Sequence, residues 1–323
     1  MSANIMEARS SQVEAREPAG GLRATMQRHP VASYFVVMYA GLSLAILPAI
    51  LSKQGLGILD FEIPFPVILF NLFSSLLGPL VAGLVMSWVV GGREGMREFR
   101  RRVFRFRVGP QWYAAGLVGV PVLGVLSAAA VLGISPVTQL AGTLGGFVST
   151  YLMTRVLVAL MVNLWEESGQ MAFVTPRLQR SHGPVFASVV VAVTWAFMHL
   201  PPLLVPAMDV GVGQPLTPVG LALSLVLMSA YAIPVRFIAT WLFNNARRSV
   251  VIVALFHAAM NAMQSELSKL SPDYNPYYLI GAFAVVSVVL LVLTRGKLGY
   301  RPEQAESSPA GDAALVAAAA ANR

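Results

Sequence analysis

Six polar side chains lie inside or at the edge of long apolar runs of this chain, where a membrane helix normally avoids them. Placing an ionisable group there costs roughly 2.5 to 3.5 kcal/mol on insertion scales, so such groups indicate a functional site. Carboxylates, imidazoles and amides together can activate water, stabilise an oxyanion and move a proton. The six residues are Glu166, Glu167, His199, Arg236, His257 and Asn261.

The spacing of these residues restricts their roles. His257 and Asn261 are four residues apart and share a helix face. Glu166 and Glu167 are adjacent, so on a helix they point about 100° apart. We expect one of these carboxylates to act as base or ligand while the other orients a neighbouring group.

Helical rise tests whether the polar residues could meet. At about 1.5 Å per residue, Glu166 lies about 18 Å and His199 about 22 Å from the basic ends of their apolar runs. The same rise places His257 at about 14 Å and Arg236 at about 16 Å. We therefore expect these groups to lie in one layer of a membrane bundle.

Composition requires a bilayer around these runs. The 323 residues are 56% hydrophobic and 12% charged, and their mean hydropathy is +0.67. The chain contains no cysteine, which excludes thiolate chemistry. A crossing takes about 20 residues, so we predict an all-α, polytopic membrane helical bundle of about eight transmembrane helices. The approximate spans are 32–51, 66–90, 113–134, 144–174, 184–200, 219–243, 250–263 and 277–294.

The net charge of +8 reflects topology and not a nucleic-acid partner. Lysines and arginines concentrate in the tails and in alternate loops, above all in residues 93–107, which we interpret as an interfacial loop. The positive-inside rule then predicts that both termini are cytoplasmic. We divide the chain into a cytoplasmic polar tail (1–30), a transmembrane bundle (31–297, motif core 144–263) and a disordered low-complexity C-terminal tail (298–323).

Three ordered segments carry the polar residues. They read WEESGQMAF at 165–173, WAFMHLP at 195–201, and WLFN at 241–244 leading to HAAMN at 257–261. Together they resemble the motifs of the CAAX-processing and bacteriocin-processing (CPBP, or Abi) family of intramembrane proteases, over roughly 144–263. The resemblance implies an endopeptidase of a prokaryotic plasma membrane that hydrolyses a membrane-associated peptide or protein.

The chain departs from the family pattern at three positions. Met171 occupies the arginine position of the first motif and Ala172 the usual glycine position, and Trp195 replaces a phenylalanine. The arginine matters most, because a guanidinium can bind a carboxylate bidentately. One hypothesis is that Arg236 supplies this cation from another helix; the alternative is that it caps backbone carbonyls near Pro234.

Two chemistries fit this set of residues. In a metal-free version, Glu166 is the general base, His199 helps to hold the water, and His257 and Asn261 donate to the oxyanion. In a metal version, His199, His257 and Glu166 bind one divalent ion, with zinc as the expected metal, and Glu167 is the base. The sequence does not choose between them.

Two other classes of function compete with a protease. Met171 favours a catalytically impaired family member that acts as a membrane scaffold or a bacteriocin-immunity protein. A proton or solute carrier would also place ionisable groups in the bilayer, although no inverted repeat of the kind found in transporters is visible. The retained carboxylates and imidazoles favour the protease.

Overall fold

The computed structural model describes residues 21–66, 69–208, 215–270, 273–275 and 277–302. The predicted N-terminal tail up to residue 20 and the predicted C-terminal tail from residue 303 lie outside these residues. The described part consists of helices and connecting segments without a strand, and the predicted all-α membrane bundle is confirmed.

Thirteen α-helices form the described part of the chain, and three of the connections between them are π-helical turns. The π turns are Leu76–Leu80, Thr150–Val156 and Gln170–Val174. The helices are α1 (Leu22–Arg28), α2 (Pro30–Leu51), α3 (Leu69–Ser75), α4 (Val81–Val103), α5 (Pro110–Leu117), α6 (Gly119–Leu132), α7 (Ser135–Ser149), α8 (Leu157–Gly169), α9 (Thr175–Met198), α10 (Leu200–Leu203), α11 (Pro218–Asn245), α12 (Val250–Leu270) and α13 (Tyr277–Leu293).

Each of the eight predicted spans has a helical counterpart, but several ends differ. The fourth and fifth spans join into one stretch from Ala159 to Leu203, which turns at Gly183 where φ is 83°. The helix of the seventh span continues to Leu270, whereas the predicted span ends at 263. Hydropathy detects only the apolar residues, and the helical hydrogen bonds continue beyond them. The helix of the fourth span begins at Ser135, where Pro136 occupies a favourable first-turn position.

The outer surface of the bundle is apolar. On α2 the side chain of Val36 is 70% exposed, and similarly exposed aliphatic side chains lie on α11 and α13. Apolar surface on this scale needs a hydrocarbon environment rather than water. Five helical stretches of the described chain are also long and apolar enough to cross a membrane.

Helix α8 lies at the centre of the bundle and approaches its neighbours closely. It packs against α12, α3, α4 and the π turn Leu76–Leu80. The contact at its C-terminal end requires glycine: a Cβ added to Gly169 would lie 2.1 Å from the Pro79 carbonyl oxygen and 2.4 Å from the Tyr34 hydroxyl. Small residues allow such close helix approaches in membranes.

We predict that Gly169→Ala destabilises the bundle. The methyl group has no space between Pro79 and Tyr34, and overpacking of this kind costs about 1 to 3 kcal/mol. The matched control is Gly146→Ala on α7, where an added Cβ meets no atom within 4 Å. Thermal unfolding of the detergent-solubilised protein should show a lower Tm for the first variant only. Equal Tm values for both variants would contradict the predicted contact.

Candidate active site

The buried carboxylate of Glu167 connects three helices. One of its oxygens, Oε2, accepts a hydrogen bond from Arg236 Nη1 on α11 at 2.5 Å. The other, Oε1, lies 2.8 Å from His257 Nδ1 on α12. The Glu167 side chain is only 1% exposed. Both carboxylate oxygens are therefore occupied, and the side chain is fixed between a guanidinium and an imidazole.

The adjacent carboxylate of Glu166 has a different environment. Its Oε1 accepts a hydrogen bond from Ser75 Oγ, at the end of α3, at 3.0 Å. Its Oε2 lies 3.9 Å from His257 Nδ1, beyond hydrogen-bond distance. Among the described residues, this oxygen has no hydrogen-bond donor. Glu166 thus keeps one oxygen without a donor, whereas each oxygen of Glu167 already accepts a hydrogen bond.

The hydrogen-bond pattern assigns the protonated nitrogen of each imidazole. His199 Nδ1 lies 3.0 Å from the Trp195 carbonyl oxygen, which can only accept, so Nδ1 carries the proton. His257 Nδ1 in the same way donates to the Glu167 carboxylate. In both rings Nε2 is left for a water molecule or a substrate, as in histidines whose orientation is fixed by a second partner.

Trp195 lies between the two imidazoles. Its ring centroid is 4.4 Å from that of His199 and 5.8 Å from that of His257, with both pairs edge-on. The guanidinium carbon of Arg236 is 5.7 Å from the same ring. The indole Nε1 is buried and has no hydrogen-bond partner in the described part of the chain. Buried indole N–H groups usually find a partner, so this donor is free for a bound molecule.

Asn261 does not join the cluster around Glu167. Its Nδ2 donates to Asn163 Oδ1 at 3.3 Å, and its side chain is exposed. The predicted residues Glu166, Glu167, His199 and His257 lie together with Arg236. Asn261 lies outside this group. The role of Asn261 as an oxyanion donor stays a prediction.

Sequence reasoning missed two polar partners. Asn163 was detectable, because it lies three residues before Glu166 on the same apolar helix. Ser75 gave no signal, because a single hydroxyl in an apolar run is common in membrane helices. Both residues are buried; Ser75 donates a hydrogen bond to Glu166, and Asn163 accepts one from Asn261.

A small cavity opens beside the cluster, between α8, α9, α11 and α12. Its lining includes the charged or imidazole side chains of Glu167, Arg236 and His257 and the indole of Trp195. The remaining lining is apolar and comprises Ala232, Val235, Ala239, Val253, Phe256 and Met260. The cavity has room for about one water molecule, next to polar groups that could bind it.

Met171 and Arg236 bear on the hypothesis that a cation reaches the first motif from another helix. Met171 is fully buried in the π turn Gln170–Val174 and contacts Thr175, whose Oγ1 lies 3.4 Å from its sulfur. The guanidinium of Arg236 forms an ion pair with Glu167, which agrees with the hypothesis of a cation supplied from another helix. The carbonyl of Pro234, the alternative partner region, instead accepts from Ser287 Oγ at 2.7 Å.

The zinc version of the site requires three ligands around one point. In the part of the chain that the structure describes, no group of three or more His, Cys, Asp or Glu side chains could hold a metal ion. The predicted set of His199, His257 and Glu166 does not fit this requirement, and we take no step of the chemistry through a metal. The zinc site stays a prediction.

Comparison with known families identifies the core of the chain. Residues 147–263 match the family model described as Rce1-like, type II CAAX prenyl endopeptidase. The predicted family resemblance is confirmed. The matched segment contains Glu166, His199, Arg236 and His257, and the family is one of proteases, which supports a membrane-embedded peptidase acting on a protein or peptide. A search of curated proteins found no match.

We predict strong energetic coupling between Arg236 and Glu167. Arg236→Met leaves a buried carboxylate without its cation and should cost about 3 to 5 kcal/mol. The double variant Arg236→Met/Glu167→Gln removes both charges and should lose clearly less than the sum of the two single variants. Thermal unfolding of all four proteins in detergent measures this coupling.

The exposed pair Arg97 and Glu94 on α4, 3.8 Å apart, is the matched control. Its cycle should give a coupling of about 0 to 1 kcal/mol, because water screens both charges. Additive effects at Arg236 and Glu167 would show that the buried contact does not hold the site together.

Proposed function

We propose that this protein is an intramembrane endopeptidase that hydrolyses a peptide bond with a water molecule activated by Glu166. The observation that carries the proposal is the contrast between two adjacent carboxylates. Glu167 has both oxygens occupied by Arg236 and His257, whereas Glu166 keeps Oε2 open beside the same imidazole. One carboxylate is built to position groups and the other to accept a proton.

The attack step uses the open oxygen of Glu166. A water molecule that donates to Oε2 transfers its proton to this carboxylate as its oxygen bonds to the carbonyl carbon of the substrate. Nε2 of His199 is a second acceptor that can orient the same water, because Nδ1 of that ring donates to the Trp195 carbonyl. The product of the step is a tetrahedral oxyanion.

The oxyanion needs a hydrogen-bond donor that is already in place. Nε1 of Trp195 is buried, lies within the cluster and has no other partner among the described residues. A preorganised donor in a site without bulk water stabilises developing negative charge efficiently. We assign this role to Trp195 ahead of His257, whose Nδ1 proton is already donated to Glu167.

The collapse step returns the proton. The carboxylic acid of Glu166 donates the proton taken from water to the nitrogen of the leaving amine while the carbon–nitrogen bond breaks. Glu166 is then a carboxylate again, and the new carboxyl terminus contains the water oxygen. Glu167 and Arg236 are positioning residues in this scheme, since they fix the ring of His257 beside Glu166.

The substrate we propose is a membrane-associated peptide or protein presented from the cytoplasmic side of a prokaryotic plasma membrane. A peptide chain must reach the cluster through the bundle, and the cavity beside Glu167, Trp195 and His257 is lined mainly by apolar side chains. Backbone inside a bilayer must be covered by protein or line a cavity. Because this cavity has room for only about one water molecule, a substrate segment would need the surrounding helices to move apart before it reaches Glu166.

Glu166→Gln should abolish most of the activity. Removal of the general base lowers kcat by about 100-fold to 10,000-fold, whereas the exposed control Glu62→Gln should retain the wild-type rate. The measurement is cleavage of a membrane-tethered reporter-peptide library by detergent-purified protein. A Glu166→Gln variant as active as Glu62→Gln would rule out this role.

Adding a chelator to the wild-type reaction should leave the rate unchanged, and loss of activity would instead favour the zinc version.

Trp195→Phe tests the oxyanion donor. Phenylalanine keeps an aromatic ring between the imidazoles but lacks the indole N–H, so kcat should fall by about 100-fold with little change in KM. Trp88→Phe, at an exposed position on α4, is the matched control and should behave as the wild type. An unchanged kcat for Trp195→Phe in the same cleavage assay would assign the oxyanion to another donor.

A further inference from the structure

An open cleft at one end of the bundle is lined by basic side chains. It lies between the C-terminal end of α4, the segment that leads to α5, and the turn between α11 and α12. Its lining contains two phenylalanines and no acidic residue. The basic members, called the arginine cleft below, are Arg97, Arg100, Arg101, Arg105, Arg107 and Arg247.

Hydrogen bonds hold the two sides of the arginine cleft together. Ser249 Oγ, just before α12, donates to the Arg105 carbonyl oxygen at 2.6 Å. Nη1 of Arg247 lies 3.5 Å from the Arg107 carbonyl oxygen. These contacts join segments about 140 residues apart in sequence. These hydrogen bonds therefore make the cleft a defined part of the tertiary structure.

Nearby acids neutralise only part of the charge. Glu98 forms ion pairs with both Arg101 and the buried Arg102, the latter at 2.9 Å. Glu94 lies 3.8 Å from Arg97, and this pair is largely exposed. One carboxylate shared by two arginines and one weak surface pair leave the cleft strongly positive.

Four arginines of the cleft form no ion pair with any described residue. They are Arg100, Arg105, Arg107 and Arg247. The Nε atom of Arg105 is in addition buried without a hydrogen-bond partner in the described part of the chain. A buried guanidinium donor without an acceptor is costly unless a bound group completes it.

The backbone beside the cleft is strained. Arg247 and Arg248 have φ values of 57° and 61°, in the left-handed region that side chains with a Cβ disfavour. Such strain persists mainly where a site requires it. Burial and then the charge of Arg101 also lower the pKa of Arg105, which reflects crowding that an anion would relieve.

We propose that the arginine cleft binds the phosphate headgroup of an anionic phospholipid in the adjoining leaflet. Guanidinium groups bind phosphate oxygens bidentately. Phe104 and Phe106 line the same cleft with rings that are 58% and 57% exposed, which gives acyl chains an apolar contact. The cleft also lies directly at the ends of membrane helices, where basic clusters recognise anionic headgroups.

The position of the cleft favours a lipid over RNA or free phosphate. RNA would use the charge but not the adjoining apolar helix surfaces, and free phosphate would leave both phenyl rings without a contact. A bound headgroup would connect the end of α4 to the turn that precedes α12, the helix that carries His257. Lipid binding would therefore stabilise the N-terminal end of α12 without contacting the catalytic cluster.

The test is titration of the full-length protein in a neutral detergent with dihexanoyl-phosphatidylglycerol. The triple variant Arg100→Gln/Arg107→Gln/Arg247→Gln removes three exposed cleft cations. Its Kd should rise about tenfold to 100-fold, following the usual contribution of basic residues near anionic lipid. The charge-matched control is Arg23→Gln/Arg28→Gln/Lys297→Gln, at exposed positions outside the cleft, whose Kd should remain at the wild-type value.

Several outcomes would overturn the proposal. Equal loss in the cleft and control variants would indicate a general charge effect. Inorganic phosphate or dihexanoyl-phosphatidylcholine binding as tightly as phosphatidylglycerol would exclude an anionic lipid, and tighter binding of a single-stranded RNA would identify a different ligand. If the glutamine variant does not fold, Arg100→Lys/Arg107→Lys/Arg247→Lys decides: weaker lipid binding than the wild type supports the cleft, and unchanged binding contradicts it.

Discussion

The Arg236–Glu167–His257 contact is the interaction on which the rest of the site depends. One buried carboxylate holds a guanidinium from α11 and an imidazole from α12 against α8. Because an unpaired charge in this interior is costly, the three groups require one another. The same contact fixes the ring of His257, while the neighbouring Glu166 keeps an oxygen without a donor. This difference between the two carboxylates is the basis of the proposed hydrolysis.

The cation of the buried cluster comes from another helix and not from the first motif. Met171 fills a buried place in a π turn, and the cation comes from Arg236, which the bundle delivers from α11. The ion pair lies on the same helix as a close backbone contact, because Gly169 allows α8 to approach Pro79. Packing and electrostatics at the site are therefore linked through the same helix.

The sequence predicted the all-α bundle, because hydropathy and helical periodicity are local properties. It did not predict which carboxylate of Glu166 and Glu167 binds Arg236, since this depends on the rotation of each helix about its axis. The exposed position of Asn261 and the contact of Ser75 with Glu166 were missed for the same reason. Helix ends such as Leu270 differed because hydropathy does not report backbone hydrogen bonding.

In the proposed mechanism, water bound by Glu166 attacks the peptide bond directly. The most direct measurement is a single turnover of a membrane-tethered peptide in ¹⁸O-labelled water, followed by mass spectrometry of both product and enzyme. We expect one labelled oxygen in the new carboxyl terminus of the product and none in the Glu166 side chain. Label in Glu166 would instead indicate a covalent acyl intermediate on this carboxylate, and would contradict a general-base role.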